Sequence, residues 1–167
     1  MSSSEKKIKV LFVCMGNICR SPSGEGVFQH HVDAAGYSNK IEVDSAGTIG
    51  YHTGNPADAR MQAAATKRGY SLDSLARQVK LQDFQDFDLI IAMDVENLEN
   101  LDHLAGARLE HVRMLGSFLN GVNDPVRGPS VPDPYYGGEA GFEQVLDMIE
   151  EACPAILSHC QVLLKQA

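Results

Sequence analysis

The stretch from Ile8 to Pro22 reads IKVLFV-CMGNICR-SP. Its first six residues form a short, continuous β-rich run of mainly apolar side chains, the pattern of a strand covered on both faces. Its last two, Ser21-Pro22, open a helix: serine is a good N-cap, and proline suits the first helical position. Between strand and helix lies a tight loop with Cys14 at one end and Arg20 at the other. A loop of this kind can turn successive backbone N–H groups inward as an anion cradle, and the helix N-terminus adds partial positive charge. Gly16 permits close backbone approach, and Asn17 tolerates left-handed geometry. Arg20 offers a planar, two-pronged donor matched to a phosphate. Cys14 sits in that positive potential and is expected to be a thiolate at neutral pH. Ser21 can donate a hydroxyl hydrogen bond to the sulfur. Together these residues describe a phosphate site with a nucleophile at its centre.

Outward from this loop the chain alternates. The first helix is expected from Ser21 to about Ala35, stopping at Gly36, with Gly24 and Gly26 inside it at a cost of roughly 1 kcal/mol each against alanine. Ile41–Asp44 reads as a second strand. Asn55-Pro56 repeats the cap-then-proline signal and opens a helix ending near Gly69. Phe87–Met93 is a third strand, after which Asp94 caps a helix to about Leu104, and His111–Leu115 is a short fourth strand. Residues 121–138 are rich in glycine and proline and read as loop. The last 25 residues place Phe142, Val145, Leu146, Ile149, Ile156, Leu157, Cys160 and Leu164 on one helical stripe, with a kink expected at Pro154. This order predicts an α/β fold, a parallel sheet with right-handed crossovers and helices on both faces. Ligands of such sheets bind at the carboxyl ends of the strands, which is where Cys14 falls.

The 167 residues fit one domain, 1–167. With 44% hydrophobic and 22% charged residues the composition is that of an ordinary globule. A net charge of −8 gives no basic footprint for nucleic acid. The first apolar run is too short to span a membrane, and the start MSSSEKKIK lacks the apolar core of a signal peptide. The four cysteines Cys14, Cys19, Cys153 and Cys160 form neither a disulfide scaffold nor a CxxC zinc pair, and the six histidines show no metal spacing. These features predict a cytoplasmic protein with reduced thiols, no cofactor and no metal.

VCMGNICRSP closely resembles the signature loop of the low-molecular-weight protein tyrosine phosphatases. Further segments resemble family motifs in the family's order: Asp44-Ser45-Ala46-Gly47-Thr48, Ala76-Arg77-Gln78, Ala92-Met93-Asp94 and Asp133-Pro134-Tyr135-Tyr136-Gly137. The resemblance implies a four-stranded parallel sheet in a Rossmann-like three-layer arrangement, and hydrolysis of phosphotyrosine through a phosphocysteine without a metal. It assigns Cys14 as nucleophile, Arg20 as phosphate binder and Asp133 as general acid and base. Met15, Gly16, Asn17, Ile18 and Cys19 line the phosphate loop, with Asn17 held by Ser45 and Ser21 in support. Tyr51 stands where the family often places an aromatic wall, and Tyr135 and Tyr136 flank the cleft. The implied partners are phosphotyrosine-containing proteins, with phosphate- and arsenate-like anions as inhibitors, and neither nucleic acid nor membrane; no oligomeric state is assigned. One departure stands out: many eukaryotic members carry a histidine where this chain has Ser74. A contact behind the loop, such as one to Asp94, is therefore expected to differ, which points to a bacterial-type branch.

The residues support the same chemistry. A phenolate leaves more easily when protonated as it departs, and Asp133 lies in a stiff loop between Pro132 and Pro134. Adjacent tyrosines beside it suit an aromatic substrate ring. Cys19 reads either as a small buried apolar residue or as a resolving thiol for an oxidised Cys14. Three other functions compete. A thiol-coupled arsenate reductase would use a similar loop but needs a resolving cysteine pair near mid-chain, and Cys153 and Cys160 read instead as helix core. A non-catalytic phosphotyrosine-binding module would lack Cys14, Arg20 or Asp133. A protein-arginine phosphatase would carry a small polar residue in place of Ile18.

Overall fold

The structure, a computed structural model, describes residues 6–136 and 138–166. Four strands, β1 (Ile8–Cys14), β2 (Ile41–Gly47), β3 (Leu89–Ala92) and β4 (Val112–Met114), form one sheet in the order β2-β1-β3-β4. Every pairing is parallel. β1 is central, and alternation along it feeds two cores. Val10 and Phe12 point to one face, where they meet Phe28 of α1 (Arg20–Ala34), Met61 of α2 (Ala59–Lys67) and Ile149 of α5 (Glu139–Gln166). Leu11 and Val13 point to the other, against Phe84 of α3 (Asp83–Asp86) and Leu98 and Leu101 of α4 (Val95–Ala105). The chain is thus a single α/β domain with helices on both faces of a four-stranded parallel sheet.

Several boundaries differ from the sequence expectation, each for a physical reason. β2 does not stop at Asp44 but runs to Gly47, because Ser45, Ala46 and Gly47 pair with Phe12, Val13 and Cys14. α1 begins at Arg20 with Cys19 as its cap residue, and Ser21 is not the N-cap. Gly24 lets α1 close on the sheet: a methyl group there would lie 2.6 Å from the Phe12 ring. α2 is capped by Asp58, whose carboxylate accepts from the backbone N–H groups of Arg60 and Met61, rather than by Asn55. Asn55 and Pro56 are committed to a short pairing with Leu75 and Ala76. β3 and β4 are shorter than expected, and α3 was not anticipated.

The Asp94 cap is as expected, a capping box with Asn97, and that helix ends at Ala105 before Gly106 in the left-handed region. The Gly/Pro-rich segment after residue 120 contains one 3-10 turn, Pro134–Tyr136. α5 is assigned as one continuous helix of 28 residues that includes Pro154, which lies on its exposed side. Cys153 and Cys160 are fully buried in the core on α5, as read from the sequence.

Candidate active site

β1 delivers Cys14 to the carboxyl edge of the sheet, opposite Gly47 of β2. The loop then folds back over the end of β2, tied down by bonds from Thr48 N–H to the Cys14 carbonyl (2.9 Å) and from Ile49 N–H to the Met15 carbonyl (3.0 Å). Asn17, at φ 60°, is the one non-glycine residue with positive φ among those described, the geometry that asparagine tolerates better than most. α1 starts directly beneath the sulfur. The Ser21 N–H points at Cys14 Sγ (3.4 Å), and Ser21 Oγ lies 3.0 Å from it. The helix N-terminus and the Ser21 hydroxyl therefore converge on one buried sulfur.

Asn17 is held at both ends of its amide. Its Nδ2 donates to Ser21 Oγ (2.8 Å) and Ser45 Oγ (3.0 Å), and its Oδ1 accepts from the Arg77 N–H (2.9 Å). The Asn17–Ser45 contact is the one expected from the sequence. The hydroxyl of Ser21, which the sequence suggested as a helix cap, instead serves this web: besides Cys14 it reaches the Ala46 carbonyl (3.2 Å).

Arg20 is 3% exposed. Nη1 donates to Asp94 Oδ2 (2.5 Å) and to the Val131 carbonyl (3.1 Å), and Nη2 lies 3.7 Å from Asp133 Oδ2. Burial works against the guanidinium charge, but the Cys14 sulfur, Asp94 and Asp133 outweigh it and raise its proton affinity above the ordinary value. Nε is buried without a hydrogen-bond partner, a donor suited to an anion oxygen. Asp133 turns its other oxygen to the Tyr135 N–H (3.0 Å), and Arg60 braces the same loop by donating to the Tyr135 carbonyl (3.2 Å).

These groups line a cavity of about 220 Å³. Its floor is Cys14, Met15, Gly16, Ile18, Cys19 and Arg20, and Tyr51, Asp133 and Tyr135 form its walls. Tyr51 is 83% exposed at the rim and meets His52 edge-on at 4.8 Å. The side chain of Tyr136 lies outside what the structure describes. Cys19 is buried in the core as well as touching the cavity, and burial, reinforced by Asp58, Cys14 and Asp133, pushes its thiol well above the ordinary value. Among the described residues no group of three His, Cys, Asp or Glu side chains could hold a metal ion, and no helix is long and apolar enough to cross a membrane.

The family model "Low molecular weight phosphotyrosine protein phosphatase" matches residues 9–166. The chain belongs to that family. It is 45% identical over 155 residues to a low molecular weight protein-tyrosine-phosphatase of Streptomyces coelicolor, covering 90% of this chain and 92% of that one. It is also 45% identical over 156 residues to YfkJ of Bacillus subtilis, covering 92% and 96%. The crystal structure of YfkJ superimposes with a TM-score of 0.85 at 41% identity, over 95% of this chain and 97% of that one. A drosophila arginine phosphatase superimposes with a TM-score of 0.80 at 36% identity, over 91% and 97%. Membership carries protein tyrosine phosphatase activity by a cysteine-based mechanism with arginine and aspartate partners.

In this phosphatase Ser74 does not substitute for a contact to Asp94. It lines a small cleft with Glu25, whose proton affinity its hydroxyl lowers, whereas Asp94 is taken up by Arg20 and the Asn97 N–H. Sequence reasoning missed Glu25, which accepts from Ser45 Oγ (2.6 Å). It also missed the Arg77 backbone contact to Asn17, and Ile49 and His52 on the cavity wall. The proximity of Ile49 and His52 to Tyr51 in the chain was the only signal available for them.

Proposed function

We propose that the phosphatase hydrolyses phosphotyrosine in proteins, and aryl phosphates generally, through a phosphocysteine on Cys14. The observation that carries this reading is the convergence of Cys14, Arg20 and Asp133 on one cavity. Arg20, held by Asp94 and the Val131 carbonyl, binds the phosphoryl oxygens as a fixed fork. The Cys14 thiolate attacks phosphorus, and the bond from phosphorus to the phenolic oxygen breaks. The Asp133 carboxyl gives its proton to that oxygen as it leaves. Water then attacks the phosphocysteine, and the Asp133 carboxylate takes its proton. The S–P bond breaks, and the departing thiolate is met by the Ser21 hydroxyl and N–H. Phosphoryl transfer of this kind rests on positioning and charge stabilisation.

The walls support an aromatic substrate. Ile18 and Tyr51 offer apolar faces, and Tyr135 is fixed by Arg60, whose guanidinium lies 5.4 Å from its ring. An aliphatic Ile18 suits a phenyl ring better than a guanidinium, which needs polar partners, so phosphotyrosine is favoured over phosphoarginine. Phosphate and arsenate should inhibit as free anions in the same cradle. The chain, 1–167, acts as one phosphatase domain, and a reducing compartment such as the cytoplasm suits its nucleophilic thiol. The test is Cys14→Ser. A serine hydroxyl is a far weaker nucleophile at neutral pH, whereas the cradle and Arg20 remain. Turnover should vanish while phosphate binding by calorimetry persists; appreciable turnover would remove the nucleophile assignment.

A further inference from the structure

Arg60, in the first turn of α2, is not among the residues that line the catalytic cavity, yet it ties the two halves of that cavity together. Its guanidinium grips Asp58 as a fork, with Nε on Oδ1 (3.2 Å) and Nη2 on Oδ2 (3.1 Å). Nη2 also donates to the Tyr135 carbonyl (3.2 Å). Asp58 in turn is joined to the phosphate loop, its backbone N–H donating to the Ile18 carbonyl (2.8 Å). At the other end the Tyr135 N–H donates to Asp133 Oδ1 (3.0 Å). We propose that Arg60 is a positioning residue for the general acid: through Tyr135 it holds the Asp133 carboxyl at a set distance from the phosphate loop, where the leaving oxygen departs. The inference rests on the reading of Asp133 as general acid.

The loop that carries Asp133 is poor in backbone donors. Pro132 and Pro134 have no N–H to give, and the Tyr135 N–H is taken by the Asp133 carboxyl itself. Before Asp133 the loop is fixed by the Val131 N–H on the Met93 carbonyl (2.8 Å). After Asp133 it is joined to α2 by Arg60. A pull in another direction comes from Arg20, whose Nη2 lies 3.7 Å from Asp133 Oδ2. Without Arg60, that charge can draw the carboxylate inward and away from the leaving group. The fork suits the task, because two bonds to Asp58 fix the guanidinium plane and leave a donor aimed at Tyr135. Burial works against the Asp58 charge, but the Arg60 side chain and the N–H groups of Arg60 and Met61 outweigh it and hold the carboxyl below the usual value. The grip therefore persists at neutral pH.

The same guanidinium lies 5.4 Å from the Tyr135 ring and 4.9 Å from the Phe142 ring. It also borders a second cleft, of about 340 Å³, between α2 and the start of α5. Cutting the side chain back widens that cleft beside Tyr135 and gives the loop room to shift. An exposed ion pair adds little to stability. The cap of α2 also survives such a change, since Asp58 Oδ1 accepts from the backbone N–H groups of residues 60 and 61. The loss should therefore appear in the chemistry and not in folding.

The experiment measures kcat/KM for phenyl phosphate and for 4-nitrophenyl phosphate in wild type, Arg60→Ala, Asp133→Ala and the double variant. Both substrates carry one phenyl ring, so a weakened Tyr135 wall burdens them alike, whereas the poorer leaving group, phenol, depends far more on the acid. In Arg60→Ala, phenyl phosphate should lose about tenfold more than 4-nitrophenyl phosphate, a part of the ~10²–10⁴-fold worth of a positioned acid. In the Asp133→Ala background the same substitution should change that ratio by less than about twofold, because a residue that acts through Asp133 has nothing left to position. Alkylation of Cys14 by iodoacetate should keep its wild-type rate in Arg60→Ala. A wild-type ratio in Arg60→Ala, the same shift in ratio with and without Asp133, or slowed alkylation of Cys14 would overturn the proposal. Should Arg60→Ala not fold, Arg60→Gln, which loses the fork, decides by the same ratio. If Asp133→Ala itself treats the two substrates alike, the general-acid reading fails, an outcome visible without any Arg60 variant.

Discussion

Gly47→Ala should cripple the phosphatase while leaving it folded. Gly47 pairs with Cys14 across β1 and β2, and its backbone is pinned by bonds to the Arg77 carbonyl (2.9 Å) and from the Val79 N–H (2.8 Å). An added Cβ would stand 2.7 Å from the Met15 carbonyl oxygen, 3.0 Å from the Gly16 carbonyl carbon and 3.1 Å from the Asn17 nitrogen. All three are backbone atoms of the phosphate loop, so no side chain can swing aside. Restoring ordinary contact at the Met15 oxygen displaces the loop by about 0.7 Å; since misplacement by ~1 Å costs on the order of 10²-fold, kcat/KM should fall roughly 10- to 100-fold. Overpacking should also destabilise the fold by about 1–3 kcal/mol. The assay is kcat/KM for an aryl phosphate and inhibition by phosphate, measured below the melting transition of the variant. Gly36→Ala is the control. Its φ of +82° strains any side chain, but no atom lies within 4 Å of the added Cβ, so stability should drop by about 1–2 kcal/mol with activity intact. Gly47→Ala within threefold of wild type would show that the loop does not depend on close contact with the end of β2.

Replacing Asp133 by alanine should lower the rate by roughly 10²–10⁴-fold for phenyl phosphates, the usual worth of a positioned general acid, and the loss should shrink as the leaving group improves. A loss independent of leaving-group pKa would make Asp133 a brace for the Tyr135 N–H only. Peroxide should inactivate reversibly through a Cys14–Cys19 disulfide, since a nearby thiol traps a sulfenic acid before it oxidises further, and phosphate should protect. In Cys19→Ser recovery by thiols should slow with catalysis nearly normal; equal recovery, with no 14–19 peptide linkage by mass mapping, would leave Cys19 a packing residue.

Much of the site was legible because it is local. Strand, loop and helix start follow one another between Ile8 and Pro22, and strand-then-cap chemistry sets where Cys14 and Arg20 fall. The Asp94 cap and the apolar stripe of α5 were equally plain, since each is written at a fixed spacing. What the sequence hid is created by the third dimension. Ser45, Ala46 and Gly47 look like a polar turn until β1 lies alongside them, and nothing near Gly47 says that a loop thirty residues earlier rests on it. Ser21-Pro22 has the composition of a helix cap, but a buried sulfur 3.0 Å away competes for the hydroxyl. Asn55-Pro56 failed for a similar reason, because pairing with Leu75 and Ala76 takes up that segment and Asp58 does the capping. Glu25 reads as one more surface acid on a helix until Ser45 and Ser74 are seen to enclose it.

The proposed hydrolysis turns on a covalent bond from phosphorus to Cys14 Sγ. Rapid acid quench of the enzyme during turnover of an aryl phosphate, followed by peptide mapping, tests it most directly. The phosphoryl group should appear on the peptide containing Cys14, on sulfur, and should disappear when excess phosphate occupies the cradle. A phosphoryl group on any other residue, or steady turnover with no phosphoenzyme while a chiral phosphate ester is hydrolysed with inversion, would contradict it.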